Sequence, residues 1–247
     1  MTGLSPCSHH AYLADSVILL IMQPNAWTLV CDTTTFERVK NEKNFQQILA
    51  LARAVNSLRF AVSAMVTNAN DISPTARRAR INSFLFGSAV LYEGLLLVQK
   101  MNQQFGRNEI FQKGLHILLK DPSALRLQRK HMNPARNFAV FHYIPEQFGR
   151  IVSSATVDVC EFMVGHGNSG RESYFPFADT LAAGVLMGRS RDDDAFYEAL
   201  GSVMSDIQDL ATRFVDSSHK LILKCLKDWG FILQRLSDQP HPASSNA

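Results

Sequence analysis

The sequence is poor in cysteine and in net charge. Its 247 residues include four cysteines, and 25 basic side chains are nearly balanced by 22 acidic ones. A formal charge of +3 excludes a general polyanion binder, so any contact with nucleic acid must come from a local cluster of basic groups. The 46% hydrophobic and 19% charged residues are typical of a globular chain that can bury one large core.

The four cysteines form no recognisable metal or disulfide pattern. Cys7, Cys31, Cys160 and Cys225 are far apart, and none belongs to a CxxC pair or lies near a histidine at metal-ligand spacing. We therefore expect reduced thiols in a cytoplasmic protein, with no bound metal and no cofactor.

Sequence signatures of several enzyme classes are also missing. The chain contains no Walker loop and no HExxH or GxSxG motif. The apolar run SVILLIM at 16–22 has seven residues, whereas roughly 20 are needed to span a bilayer. We expect no membrane segment.

Apolar side chains recur at intervals of three and four residues over most of the chain. This pattern predicts two long amphipathic helices, at about 36–66 and 73–104. Ser73-Pro74 and Asp121-Pro122 each place a capping side chain before a proline at the first helical position, so both pairs predict helix starts.

The character of the sequence changes after residue 152. HGNSG lies between two apolar segments, so we expect a small β-hairpin or irregular insertion near 152–190, followed by a last long helix. The predicted domains are a flexible N-terminal extension at 1–35, a helical domain at 36–238 and a disordered tail at 239–247. The predicted fold class is all-α, an up-down helical bundle with that insertion.

One stretch places charged and polar side chains inside an apolar run. RNFAVFH at 136–142 contains Arg136, Asn137 and His142. Four arginines are followed by a histidine at this kind of spacing, whereas about 1.5 such pairs are expected by chance. Of the four, only Arg136 precedes an asparagine and only His142 follows an apolar run, so the context singles out this pair.

In these residues, and in the order of its helices over about 36–150, the chain resembles the HEPN superfamily. Members are helical and carry an arginine, four to six intervening residues and a histidine. They are commonly metal-independent endoribonucleases, frequently the toxin of a toxin–antitoxin or phage-defence system. The resemblance implies RNA as substrate, an antitoxin protein as partner, and a homodimer in which Arg136 and His142 of both chains line one cleft.

The residue types suit cleavage of RNA without a metal. A histidine, with a reference pKa of about 6.5, can accept the proton of a ribose 2′-OH, and a guanidinium can hold the phosphoryl oxygens with two hydrogen bonds. We predict His142 as general base, Arg136 as phosphate stabiliser and Asn137 in support. Tyr143 is also assigned a supporting role.

Two further groups extend the candidate site. Glu93 lies in the apolar stretch VLYEGLLL, and the resemblance implies that an acidic group there pairs with the arginine. The segment RLQRKHMNPAR has no acidic residue, and we predict RNA-binding residues within it. These residues are Arg126, Arg129, Lys130 and His131. The alternative interpretation of the basic segment is a solvated helix face. The alternative for Glu93 is a structural salt bridge.

Three functions remain open from the sequence. The chain is an active ribonuclease, an inactive HEPN-like module that binds RNA, nucleotide or protein, or a structural partner that leaves the apolar faces of its first and last helices exposed. Six steps along an α-helix turn through roughly 600°, so Arg136 and His142 do not converge on one phosphate from an unbroken helix. A break in the helix near Pro134 or Pro145 would allow the two side chains to converge. We favour the homodimer, in which residues of both chains line the cleft.

Overall fold

The computed structural model describes residues 27–67, 71, 73–140, 145–154, 176–188 and 194–235. Within these residues lie nine α-helices, two π-helical segments and two short strands, which confirms the all-α fold class. The elements are β1 (Trp27–Val30), α1 (Thr33–Val39), α2 (Lys43–Thr67), α3 (Pro74–Phe105), α4 (Glu109–Lys113), α5 (Leu115–Lys120), α6 (Pro122–Leu127), π1 (Gln128–Met132), π2 (Ala135–Val140), α7 (Pro145–Ser154), α8 (Pro176–Met187), α9 (Asp194–Asp228) and β2 (Ile232–Arg235).

The chain divides into two compact units, Met1–Leu49 with Ile222–Ala247, and Ala50–Leu221. In the first unit, β1 and β2 pair in an antiparallel sheet. The buried Phe45 ring packs there against three other aromatic rings. These are Phe36, Trp229 and Phe231.

The predicted extension at 1–35 extends too far along the chain. Residues 27–30 form β1, and α1 begins after Asp32, whose carboxylate accepts a hydrogen bond from the Thr35 backbone N–H at 2.7 Å. The strand was missed because its partner β2 lies near the other end of the sequence. Residues 1–26 and the predicted tail at 239–247 lie outside the described residues.

The second unit is a helical bundle with α3 near its centre. In this unit α3 contacts α5, α8 and both π-helical segments. As predicted, α3 begins at Ser73-Pro74, where the Ser73 hydroxyl accepts a hydrogen bond from the Ala76 backbone N–H at 3.2 Å. Its buried side chains include Phe84, Leu85, Ala89, Leu91, Leu95, Val98 and Met101.

Part of the predicted insertion at 152–190 is helical instead. Helix α8 occupies Pro176–Met187, and residues 181–186 are all buried. A helix that is apolar on all sides lacks the three-and-four spacing that identifies a surface helix, so its sequence gave no helical signal. The small sheet is formed by β1 and β2, and residues 155–175 lie outside the described part of the chain.

The apolar stripe of the last helix is covered. In α9 the side chains of Phe196, Ile207 and Phe214 are buried, whereas Phe60 on α2 is 68% exposed. A purely structural partner is expected to expose the apolar faces of its first and last helices. The last helix, α9, does not meet this expectation.

Two of the described helical segments are long and apolar enough to cross a membrane, judged by length and composition alone. They are Lys43–Thr67 and Arg78–Phe105, and 33% and 50% of their most apolar windows are buried. Core helices of globular proteins satisfy the same criteria, so this property does not place the chain in a membrane.

Candidate functional site

The segment that carries the motif departs from α-helical geometry. Helix α6 begins after Asp121, as the sequence predicted, and passes directly into π1 and then, beyond Asn133-Pro134, into π2. Pro134 has no N–H to donate, which removes a backbone hydrogen bond from the helix, and π-helical turns accommodate such irregularities and often mark functional sites. The helix is thus altered around Pro134, one of the two prolines considered above.

Packing of π2 against α3 brings Arg136 to Glu93. The Nε atom of Arg136 donates a hydrogen bond to the Oε1 atom of Glu93 at 2.7 Å. The two side chains are 32% and 42% exposed, so the ion pair is open to solvent. A pair with this exposure stabilises the fold by at most about 1 kcal/mol.

Two asparagines extend this contact along the π-helical segments. The Nη1 atom of Arg136 donates to Oδ1 of Asn137 at 2.5 Å, and Nδ2 of Asn137 donates to Oδ1 of Asn133 at 2.6 Å. We call Glu93, Asn133, Arg136 and Asn137 the Arg136 network. Asn133 was not among the predicted site residues, although side chains four positions apart on a helix are neighbours.

The network leaves part of the guanidinium available. An arginine carries five N–H groups, and Arg136 uses two of them in these bonds. The other three meet no protein acceptor among the described residues. A forked cation with free donors, open to solvent, can bind a phosphate or carboxylate through charge-assisted hydrogen bonds.

Three of the predicted RNA-binding residues are exposed on α6 and π1. They are Arg126, Arg129 and Lys130, which we call the basic surface. Arg126 is 66% exposed, and its contact with a carboxylate oxygen of Asp206 is long, at 3.8 Å. The three cations lie in solvent, a few residues before Arg136 in the chain.

His131 does not belong to that surface. Its ring is buried, and Nδ1 lies 3.0 Å from the carbonyl oxygen of Leu186 in the last turn of α8. Burial lowers the pKa of His131, and the nearby charges of Lys130 and Arg126 lower it further. The neutral ring donates its Nδ1–H to a carbonyl that the end of α8 leaves without a helical partner. It is therefore not available to RNA, contrary to the sequence expectation.

The other predicted site residues are only partly described. Arg136, Asn137 and Glu93 are brought together by π2 and α3. His142 and Tyr143 lie outside the described residues. In the part of the chain that the structure describes, no group of three His, Cys, Asp or Glu side chains is placed to hold a metal ion.

Comparison with protein-family models, with curated proteins and with solved structures finds no match for this chain. The resemblance to the HEPN superfamily therefore rests on the motif residues and on the order of the helices.

Proposed function

We propose that this chain is a metal-independent endoribonuclease of the HEPN type, in which Arg136 holds the scissile phosphate and His142 is the general base. The observation that carries the proposal is the state of the Arg136 guanidinium. It is fixed by two hydrogen bonds, about a third of the side chain is exposed, and three N–H groups meet no acceptor among the described residues and can serve a ligand. A preorganised donor of this kind stabilises charge that develops on a phosphoryl group.

The proposed reaction follows from the residue types. His142 removes the proton of a ribose 2′-OH, and the oxygen attacks the adjacent phosphorus. The bond to the 5′-oxygen breaks, and that oxygen takes up a proton, which leaves a 2′,3′-cyclic phosphate and a 5′-hydroxyl. The Arg136 guanidinium holds the negative charge of the phosphoryl oxygens, and Asn137 supports it.

The proposal also covers the assembly, the location and the partner of the enzyme. Two chains form a homodimer through the motif face, and the basic surface holds the RNA backbone beside the cleft. The chain is a cytoplasmic toxin of a toxin–antitoxin or phage-defence system. Its partner is an antitoxin protein.

A second candidate is an inactive HEPN-like module that binds RNA, a nucleotide or a protein partner. The Glu93–Arg136 ion pair favours the protein-binding form of this module, because the carboxylate competes with phosphate for the guanidinium. An arginine with a purely structural role would be paired in this way.

Cleavage of a mixed tRNA and mRNA pool in EDTA tests the two candidates. We expect wild-type protein to produce cyclic phosphate ends, and His142→Ala to slow cleavage by about 10²- to 10⁴-fold. Arg136→Ala should be similarly impaired. His219→Ala is the matched control, since Arg213 and His219 have the same spacing as the motif pair and His219 is exposed on α9. Wild-type protein that is folded but inert would support the second candidate instead.

A further inference from the structure

We infer that Asn133 is a positioning residue of this site, which fixes the amide of Asn137 and through it the guanidinium of Arg136. The role in catalysis rests on the proposed ribonuclease function. The orientation itself rests on the two hydrogen bonds that link the three side chains.

Arg136 requires a hydrogen-bond acceptor from its neighbour Asn137. A guanidinium has only donors, whereas an asparagine amide has a carbonyl acceptor at one end and an NH2 donor at the other. Asn137 must therefore present Oδ1 to the Nη1 atom of Arg136, as it does at 2.5 Å. If the amide turned by half a rotation, its NH2 group would face another donor and the bond would be lost.

Asn133 opposes a reversal of the Asn137 amide by itself. Its Oδ1 atom accepts a hydrogen bond from Nδ2 of Asn137 at 2.6 Å. With the Asn137 amide reversed, two carbonyl oxygens would face each other. If the Asn133 amide turned as well, its bond to Asn137 would be kept but the bond to Arg136 would still be lost, so both bonds form together only in the observed orientation.

The contact with Asn137 limits the rotation of the Arg136 guanidinium. Glu93 holds Arg136 at Nε and Asn137 holds it at Nη1, so the plane of the group is fixed at two points. With the Asn137 contact released, the guanidinium keeps its charge but can turn about the remaining bond to Glu93. Donors must be aligned before charge develops in the transition state, whereas long-range attraction of RNA requires only the charge. Asn133 therefore affects kcat more than KM.

Two substitutions separate the acceptor from the bulk of the side chain. Asn133→Leu has a similar size and no acceptor, and we expect it to lower kcat by about 10- to 100-fold with little change in KM. Asn133→Asp keeps the Oδ acceptor, so kcat should stay close to that of wild type. Its KM should rise, because the added negative charge repels the RNA backbone.

A second measurement does not depend on cleavage. In ¹⁵N-labelled protein, with the arginine signals assigned by Arg136→Lys, the Nη protons of Arg136 should give separate NMR signals because the guanidinium is held at two points. We expect these signals to merge in Asn133→Leu and to remain separate in Asn133→Asp.

The outcomes separate the role of Asn133 from the proposed function. Unchanged kcat and unchanged Nη signals in Asn133→Leu would overturn the inference, and so would an Asn133→Asp variant that loses as much kcat as the leucine variant. If wild-type protein does not cleave RNA, the proposed function fails by itself, and the Nη signals still decide whether Asn133 orients Arg136.

Discussion

The Nδ1 atom of His131 lies 3.0 Å from the carbonyl oxygen of Leu186, so a buried histidine in π1 is joined to the last turn of α8. Helix α8 also packs against π2, which carries Arg136. The segment between these contacts contains Asn133. The fold thus anchors both sides of the junction from which the Arg136 network projects.

The burial of His131 gives the stability a dependence on pH. Burial lowers the pKa of the ring, so the unfolded state binds a proton more readily than the folded state as the pH falls. The contribution is fully present above the unfolded pKa of about 6.5 and is lost on acidification below it. We expect the free energy of unfolding to fall less steeply in His131→Gln than in wild type, measured by urea denaturation between about pH 7.5 and 5.5. Parallel curves would contradict this.

The dimer proposal can be tested by mixing two inactive chains. If each site takes Arg136 from one chain and His142 from the other, a mixed dimer of Arg136→Ala and His142→Ala contains one intact site. We expect an equimolar mixture, after exchange of subunits, to recover roughly a quarter of wild-type cleavage, because half of the dimers are mixed and each has one of two sites. The separate variants are the controls. No recovery in a mixture shown to exchange would exclude sites built from both chains.

The basic surface should govern the salt dependence of RNA binding. Replacing its three residues by alanine should reduce the slope of log affinity against log salt by about 2, since each phosphate contact on a single strand contributes about 0.7. Fluorescence anisotropy with a single-stranded RNA at several salt concentrations measures the slope. Three lysines of α9 replaced by alanine provide a control with the same change of charge. They are Lys220, Lys224 and Lys227. Equal slopes in the two triple variants would argue against a specific basic surface.

Asp121 stabilises the start of α6 and contacts α9. Its carboxylate accepts a hydrogen bond from the Ser123 backbone N–H at 2.9 Å and pairs with Arg213 at 2.8 Å. The hydrogen bond from Arg213 is the main reason that the pKa of Asp121 is lowered, and backbone hydrogen bonds add to it. A lowered pKa stabilises the fold above the unfolded value of about 3.9, and the effect is lost as the pH falls below it.

We expect Asp121→Ala to reduce the free energy of unfolding by about 1 kcal/mol near neutral pH, because it removes the helix cap. The difference from wild type should shrink below about pH 4. Arg213→Ala, whose side chain is half exposed, should have a smaller effect. Denaturant titrations at both pH values check this, and a constant difference would mean that the ionised carboxylate is not responsible.

Gly94 on α3 allows close packing of α9. A Cβ atom at this position would lie 2.7 Å from Cζ of Phe214, a ring that is fully buried and has little room to move. We expect Gly94→Ala to destabilise the protein by about 1 to 3 kcal/mol through overpacking. Gly201→Ala is the matched control, because nothing lies within 4 Å of its added Cβ. That variant should be more stable by about 0.5 to 1 kcal/mol in thermal or urea unfolding, and the same sign for both variants would contradict the packing argument.

The features that the sequence determined are local. Ser73-Pro74 and Asp121-Pro122 start helices as predicted, because a capping side chain bonds to backbone N–H groups only two or three positions away. The long helices α2 and α3 also follow from spacing within a few turns, but the predicted helix at about 36–66 is interrupted at residues 40–42, between α1 and α2. The all-α fold class could therefore be read from the chain alone.

Tertiary structure decided which polar residues meet and which are withdrawn from solvent. Arg136 and Glu93 are far apart in the sequence, and the packing of π2 on α3 supplies their contact. Histidine is a residue type that can bind RNA at a protein surface. Burial against α8 makes His131 a structural anchor instead. Helix α8 was missed because its buried run at 181–186 lacks the spacing of a surface helix. The pairing of β1 with β2 was missed because the two strands are distant in sequence. The sequence thus determined where helices begin and which residues are chemically capable, whereas long-range packing determined which of those residues are accessible and in contact.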